Sequence, residues 1–258
     1  MEKSKAVLFC AVLSLLLASG GATSRACAEK HVAGGGGPAK AEGLSMPLDS
    51  MEGLDVENVR EGDVDAVKTK SEIVTYRGRR ALKILNTDDP TAPKTMMGAQ
   101  TIAIAKATDL GNGTIEAEVA GMPREGASPS TRGFVGIAFH VQGKGERYEC
   151  FYLRMTNGRA TEQAMRNRAT QYISRPGYPW NKLREEFPGV YESYVDLEPG
   201  VWTKVKIVVS GTKASLYVNG AEQPTLIVND LKLGETHGQV ALWAGSDTEA
   251  YFSDLTVR

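Results

Sequence analysis

The residue types that can hold a sugar are concentrated between Tyr148 and Tyr194. Flat aromatic rings can cover the apolar C–H face of a sugar ring, and guanidinium, amide and carboxylate groups can pair with its hydroxyls. This part of the chain is rich in both kinds of side chain. With one histidine from a preceding strand, the candidate ligand-binding residues are His140, Tyr152, Arg154, Asn167, Gln171, Tyr172, Trp180 and Arg184.

Arg154 is the strongest single candidate in this set. Successive residues of a strand point to opposite faces, so the alternation over Arg147–Met155 places Tyr152 and Arg154 on one face. An arginine on a strand face needs a carboxylate partner, water or a ligand. Residues 157–197 are irregular and contain prolines that keep them from joining the sheet, so we predict that they fold back over this face.

The carboxylates in this region leave a catalytic role open. A glycosidase normally uses two carboxyl groups separated by about 5–9.5 Å. The candidates are Glu149 and Glu192, and the sequence identifies no pairing for either of them. Glu149 shares one strand face with Phe151 and Leu153, which predicts either a strand end or a buried carboxyl with a raised pKa.

Metal and cofactor motifs are absent from the sequence. The three histidines lie far apart, and we find no phosphate loop, dinucleotide fingerprint or Gly-x-Ser-x-Gly elbow. We therefore expect no metal site and no cofactor. One alternative is a structural Ca²⁺ held by the oxygens of Asp247, Glu249 and Asp254, although their spacing favours a plain surface loop.

The net charge and the composition limit the kinds of partner that the protein can bind. The net charge is −1, which argues against nucleic acid and against an anionic membrane surface. A chain of 258 residues with 41% hydrophobic content can bury one substantial core.

The N-terminus predicts export. Lys3 and Lys5 precede the apolar run Ala6–Ala18, whose 13 residues are fewer than the ~20 of a membrane span. Ala26-Cys27-Ala28 fits a cleavage site, so we predict a signal peptide over 1–28, a Gly-rich tether over 29–43 and a folded domain over 44–258. The mature protein would be periplasmic or extracellular, without a membrane span; an uncleaved anchor is the alternative.

Cys150 would be the only cysteine of the mature protein, and we expect a buried, inert thiol.

Short alternating strands must position the candidate residues. The clearest pattern is the hairpin in Gly200–Gly220, where Val205 and Ile207 alternate with lysines before the turn at Gly211. Similar patterns recur from residue 73 to the end of the chain. They predict an all-β fold, a two-sheet antiparallel β-sandwich.

The same hairpin carries a family resemblance. Trp202, the strands around Gly211 and the turn Asn219-Gly220 are followed by a closing pattern at Gly238–Trp243 and Ala250–Val257. This arrangement resembles the concanavalin A-like lectin/glucanase superfamily, and more narrowly the laminin-G-like and 3-keto-disaccharide hydrolase-type domains of secreted bacterial proteins. The resemblance covers roughly the last two-thirds of the chain. It implies a jelly roll, and it implies no single activity because this fold hosts many functions.

Three functions remain open from the sequence. The leading interpretation is a secreted, lectin-like module that binds an oligosaccharide or polysaccharide. The first alternative, implied by the resemblance, is a glycoside hydrolase on the same fold, so whether the chain is an enzyme stays undecided. The second alternative is a structural or adhesion domain that binds protein.

Overall fold

The computed structural model describes residues 43–59, 68–87 and 100–258. Within these ranges, 15 strands form two antiparallel sheets that pack as a sandwich, which confirms the predicted all-β fold. The expected signal peptide and nearly all of the expected tether lie outside the described residues. No helix in the described ranges has the length and apolar character needed to span a bilayer.

One sheet has eight strands in the order β13-β12-β11-β6-β15-β4-β3, and β1 also pairs with β15. Its strands are β1 (Leu44–Met46), β3 (Lys68–Tyr76), β4 (Arg79–Thr87), β6 (Gly113–Pro123), β11 (Thr203–Ser210), β12 (Lys213–Val218), β13 (Leu226–Val228) and β15 (Thr248–Val257).

The other sheet has seven strands in the order β10-β9-β8-β7-β14-β5-β2. Its strands are β2 (Leu54–Val59), β5 (Gln100–Leu110), β7 (Phe134–Gln142), β8 (Arg147–Arg154), β9 (Thr170–Arg175), β10 (Glu192–Ser193) and β14 (Gly238–Ala244). A short 3₁₀ turn (Met155–Asn157) and helix α1 (Gln163–Arg166) lie between β8 and β9, and helix α2 (Trp180–Glu186) lies between β9 and β10. The prediction that residues 157–197 stay out of the sheet is therefore wrong for β9 and β10, which pair with β8 and with each other.

The predicted hairpin lies within the eight-stranded sheet as β11 and β12. Val205, Ile207 and Val209 are buried, while the residues between them are more exposed. Ile207 pairs with Leu216 on β12 and with Ile115 on β6, and all three side chains are buried. The alternation seen in the sequence therefore identifies the core side of this sheet correctly.

A close approach between the two sheets shows which face of the seven-stranded sheet points at the eight-stranded sheet. A Cβ on Gly121 of β6 would lie 2.8 Å from Cγ1 of Val135 on β7, so Val135 points at the eight-stranded sheet. Leu153 pairs with Val135 and shares this inner face. By alternation, Tyr152 and Arg154 lie on the outer face, as the sequence predicted.

Candidate functional site

A row of polar side chains crosses the outer face of the seven-stranded sheet. Tyr152 on β8 pairs with Gln171 on β9, and Gln171 pairs with Glu192 on β10. Directly paired residues of adjacent strands share a face. Tyr152, Gln171 and Glu192 therefore point to the same side of the sheet, and Arg154 joins them from two residues farther along β8.

Arg154 binds four protein acceptors in this row. Its Nη2 donates to Oε1 of Gln171 at 2.9 Å and to the Tyr152 hydroxyl at 3.0 Å. Its Nη1 donates to the carbonyl of Arg168 at 3.1 Å and to Oε1 of Glu192 at 3.3 Å. The side chains of Tyr152, Arg154, Gln171 and Glu192 are all buried. Arg154 thus fixes the relative positions of three neighbouring strands.

Glu192 is the acidic centre of the site, and three arginines approach it. Besides Arg154, Arg184 donates from Nε to both carboxylate oxygens at 3.0 and 3.1 Å and from Nη2 to Oε1. Nε of Arg168 lies 3.7 Å from Oε2. Charge-assisted contacts of this kind hold a carboxylate in one orientation.

Helix α2 supplies Trp180 and Arg184. It follows Pro179, whose carbonyl accepts a hydrogen bond from the backbone N–H of Leu183. Leu183 is buried and packs the helix into the core. Trp180 and Arg184 are four residues apart and therefore neighbours on the helix surface. The guanidinium of Arg184 lies 4.5 Å from the Trp180 ring centroid, and that of Arg154 lies 5.9 Å from it.

An aromatic layer continues the outer face toward the centre of the sheet. The ring of Tyr152 stacks on Trp243 with centroids 4.9 Å apart, and Phe134 meets Tyr152 edge-on at 6.0 Å. Gly136 pairs with both Tyr152 and Trp243, and a Cβ there would lie 2.6 Å from Cβ of Tyr152. The missing side chain leaves room for the stack. Burial raises the pKa of Tyr152 to about 12, so its hydroxyl keeps its proton.

His140 lies apart from this cluster because of a β-bulge. Its φ is +52°, and the register of β7 shifts on both sides of it, which interrupts the strict alternation assumed from the sequence. Its Nε2 donates to the carbonyl of Gly111 at 2.9 Å, since a carbonyl can only accept. Burial lowers the pKa of His140, which favours the neutral ring.

Tyr172 and Glu149 lie on the inner face of the sheet. Tyr172 follows Gln171 directly, so it points to the opposite side and pairs with Phe151. Its hydroxyl donates to Oε2 of Glu149 at 2.5 Å, and the N–H of Leu233 donates to Oε1 at 2.7 Å. Burial raises the pKa of Glu149, as the sequence analysis anticipated for a carboxyl among apolar neighbours. Cys150 is buried as predicted, and burial raises the pKa of its thiol.

Asn167 follows the end of α1 on the exposed surface, where its side-chain oxygen accepts a hydrogen bond from Gln163 at 2.7 Å. The structure thus separates His140, Asn167 and Tyr172 from the cluster. It brings together Tyr152, Arg154, Gln171, Trp180 and Arg184, with Glu192 at their centre. Arg168 was missed, because nothing in its own sequence neighbourhood points to Glu192.

The carboxylates considered for Ca²⁺ are engaged by other side chains. Asp247 accepts hydrogen bonds from Arg124, and Glu249 pairs with Lys83 at 2.9 Å. Asp254 accepts from the hydroxyl of Ser253 at 2.8 Å. Within the described ranges, no group of three or more His, Cys, Asp or Glu side chains is arranged to hold a metal ion. A structural Ca²⁺ at this place stays an alternative to the plain surface loop.

The fold is similar to that of known jelly-roll proteins. A Bacillus subtilis protein of unknown function with a galectin-like fold gives a TM-score of 0.53 at 11% identity, covering 83% of this chain and 94% of that one. The exoplasmic/lumenal domain of VIP36, bound to Ca²⁺ and Man3GlcNAc, gives 0.48 at 9% identity with coverages of 83% and 87%. The carbohydrate-binding module CBM66 from Bacillus subtilis gives 0.46 at 9% identity with coverages of 75% and 95%.

No protein-family model matches the sequence, and neither does any curated protein. At these identities the structural similarity concerns the fold alone. That fold is a two-sheet jelly roll, described as galectin-like for the first of these structures, and it agrees with the fold that the sequence resemblance implied.

Proposed function

We propose that the chain is an exported carbohydrate-binding domain, and that a saccharide binds at the α2 edge of the outer face, beside Trp180, Arg184 and Glu192. The observation that carries this proposal is the contact of Trp180 with two guanidiniums. One of these, from Arg184, also holds the Glu192 carboxylate. A partly exposed indole next to planar polar groups is the combination that a sugar ring requires.

The two kinds of side chain would act on different parts of the sugar. The Trp180 ring would cover an apolar C–H face, and the guanidinium of Arg184 would donate to hydroxyls at the ring edge. Arg154 and Gln171 are buried behind them and would keep Glu192 and Arg184 in place. A prearranged site of this type loses little conformational entropy when the ligand binds.

A glycan array with the exported protein tests the proposal, run once with Ca²⁺ and once with a chelator. Trp180→Ala should weaken binding by about tenfold or more, equivalent to about 1.4 kcal/mol, and Trp180→Tyr should restore part of it. Trp202→Ala is the matched control, because Trp202 is also partly exposed and packs beside Tyr251 on the eight-stranded sheet. Equal losses in the two tryptophan variants, or an array on which no glycan binds, would count against the proposal.

The hydrolase alternative is not favoured by a specific observation. Glu149 lies on the inner face of the sheet with Tyr172, whereas Glu192 lies on the outer face with Gln171. These two carboxyl groups are therefore on opposite sides of one sheet and cannot act together on one glycosidic bond. An array without bound glycans would instead favour the third interpretation, a domain that binds protein.

A further inference from the structure

The site around Glu192 holds more positive charge than its own carboxylate can balance. The guanidiniums of Arg154, Arg168 and Arg184 all approach this one group. Asp196 and Glu198 do not correct the excess, because both are paired with Arg159. Among the described contacts, Glu185 and Glu186 of α2 form no salt bridge with any of the three arginines. One carboxylate therefore faces three cations.

The three arginine side chains differ in their exposure to solvent. The side chain of Arg154 is 6% exposed, that of Arg184 is 24% exposed and that of Arg168 is 42% exposed. An approaching molecule would thus meet Arg184 and Arg168 first. Arg154 has already committed four of its five donors to protein acceptors.

The outer arginines keep donors for a further group. A guanidinium has five N–H donors in a planar fork. Among the described contacts, Arg168 makes one ionic approach of 3.7 Å and no side-chain hydrogen bond, and Arg184 uses Nε and Nη2 but not Nη1. These donors point to an acceptor that is planar, anionic or both, which is the geometry guanidinium groups bind best.

A second arginine–aromatic pair extends this basic edge. Nη2 of Arg166 donates to the hydroxyl of Tyr194 at 2.8 Å, and the guanidinium lies 4.9 Å from the ring centroid. Tyr194 is exposed and comes two residues after Glu192. A second aromatic ring with an arginine on it therefore lies two residues along the chain from Glu192.

We infer that the saccharide bound at this edge is acidic and carries carboxylate or sulfate groups that pair with Arg168 and Arg184. This inference rests on the proposed function and narrows it to one class of ligand. A neutral sugar would leave the excess guanidinium charge uncompensated when water is displaced, which is costly. An acidic group would neutralise it through charge-assisted hydrogen bonds.

Affinity electrophoresis with the full exported protein tests the inference. The gels contain alginate, polygalacturonate or dextran sulfate, and the neutral counterparts are methyl-esterified pectin and dextran. We expect at least one acidic polymer to retard the protein while its neutral counterpart does not. The carboxylated and sulfated gels separate the two acidic groups, and about 0.5 M NaCl should weaken the retardation because it screens charge beyond a few ångströms.

Arginine variants test where on the protein the acidic polymer binds. Arg168→Gln and Arg184→Gln should each weaken binding to the acidic polymer by about tenfold, with folding checked by thermal unfolding. Arg147→Gln is the matched control: it removes the same charge from an exposed position at the other end of β8. Equal losses in all three variants would show non-specific ion exchange and overturn the inference.

The two proposals fail in different ways. If neutral glycans bind as well as their acidic counterparts and binding still requires Trp180, the carbohydrate-binding proposal stands and the acidic ligand is ruled out. If neither the acidic gels nor the neutral glycan array gives binding, both proposals fall.

Discussion

Nη1 of Arg154 lies 3.3 Å from Oε1 of Glu192, and both side chains are only 6% exposed. The two residues are far apart in the sequence and sit on different strands of the seven-stranded sheet. The pair therefore links β8 to the edge strand β10 across β9. Water is largely excluded from this ion pair. Removing either partner should therefore lower the free energy of unfolding and change the geometry of the site.

Removing Arg154 should destabilise the fold. In Arg154→Ala, Gln171 and Tyr152 lose a buried donor and Glu192 loses one of its partners. We expect a loss of about 3 kcal/mol in the free energy of unfolding, at the lower end of the range for a broken buried pair, because Arg184 and Arg168 remain near Glu192. Urea unfolding measures it, with the exposed Arg147→Ala as control. A loss below about 1 kcal/mol would show that the buried network contributes little.

The core assignment of the β11–β12 hairpin is tested by truncation. Ile207 is fully buried between Ile115 and Leu216, so Ile207→Ala should cost about 2–5 kcal/mol through lost burial and the cavity left behind. Ile227 on β13 is 49% exposed, and Ile227→Ala should change stability by less than about 0.5 kcal/mol. Similar values for the two variants in chemical denaturation would contradict the inner face assigned to this sheet.

Glu149 should make stability depend on pH. Burial raises its pKa above the usual 4.5, so the folded protein holds this proton more tightly than the unfolded chain does. The stability that this contributes is fully present below the unfolded pKa and is lost as pH rises through the folded pKa. Glu149→Gln cannot ionise, so the stability of the wild type relative to this variant should fall as pH rises from about 4.5 through the raised pKa of the folded protein.

Unfolding curves across this range supply the measurement. Glu146→Gln, which removes a carboxylate from the exposed turn between β7 and β8, is the control. If the Glu149 difference instead grew with pH, the donors from Tyr172 and Leu233 would outweigh the cost of burying the charge.

Export and cleavage are predictions that the mass of the protein in each cell fraction tests. The basic residues, the apolar run and Ala26-Cys27-Ala28 predict a mature N-terminus at Glu29. Intact-mass measurement of the exported fraction should give this species, and Ala28→Asp should leave the uncleaved precursor. Recovery of the wild-type chain with Met1 in the membrane fraction would support the anchor alternative.

The sequence alone determined the features that depend on local alternation. A strand repeats every two residues, so Val205 and Ile207 could be assigned to the core, and Tyr152 and Arg154 to one common face. The same rule, applied to consecutive residues, would have separated Tyr172 from Gln171, although the candidate set from the sequence included both. Turn residues such as Gly211 marked the ends of these strands, because a positive φ is readily adopted by glycine.

Only the tertiary structure decided which of these side chains meet. The bulge at His140 breaks the alternation, and its register shift is set by the neighbouring strands. Arg168 reaches Glu192 only because the chain between them returns to the edge of the sheet, where Leu183 anchors α2. Pairings of this kind depend on long-range packing and on the burial of charge, and no local pattern of residues encodes them.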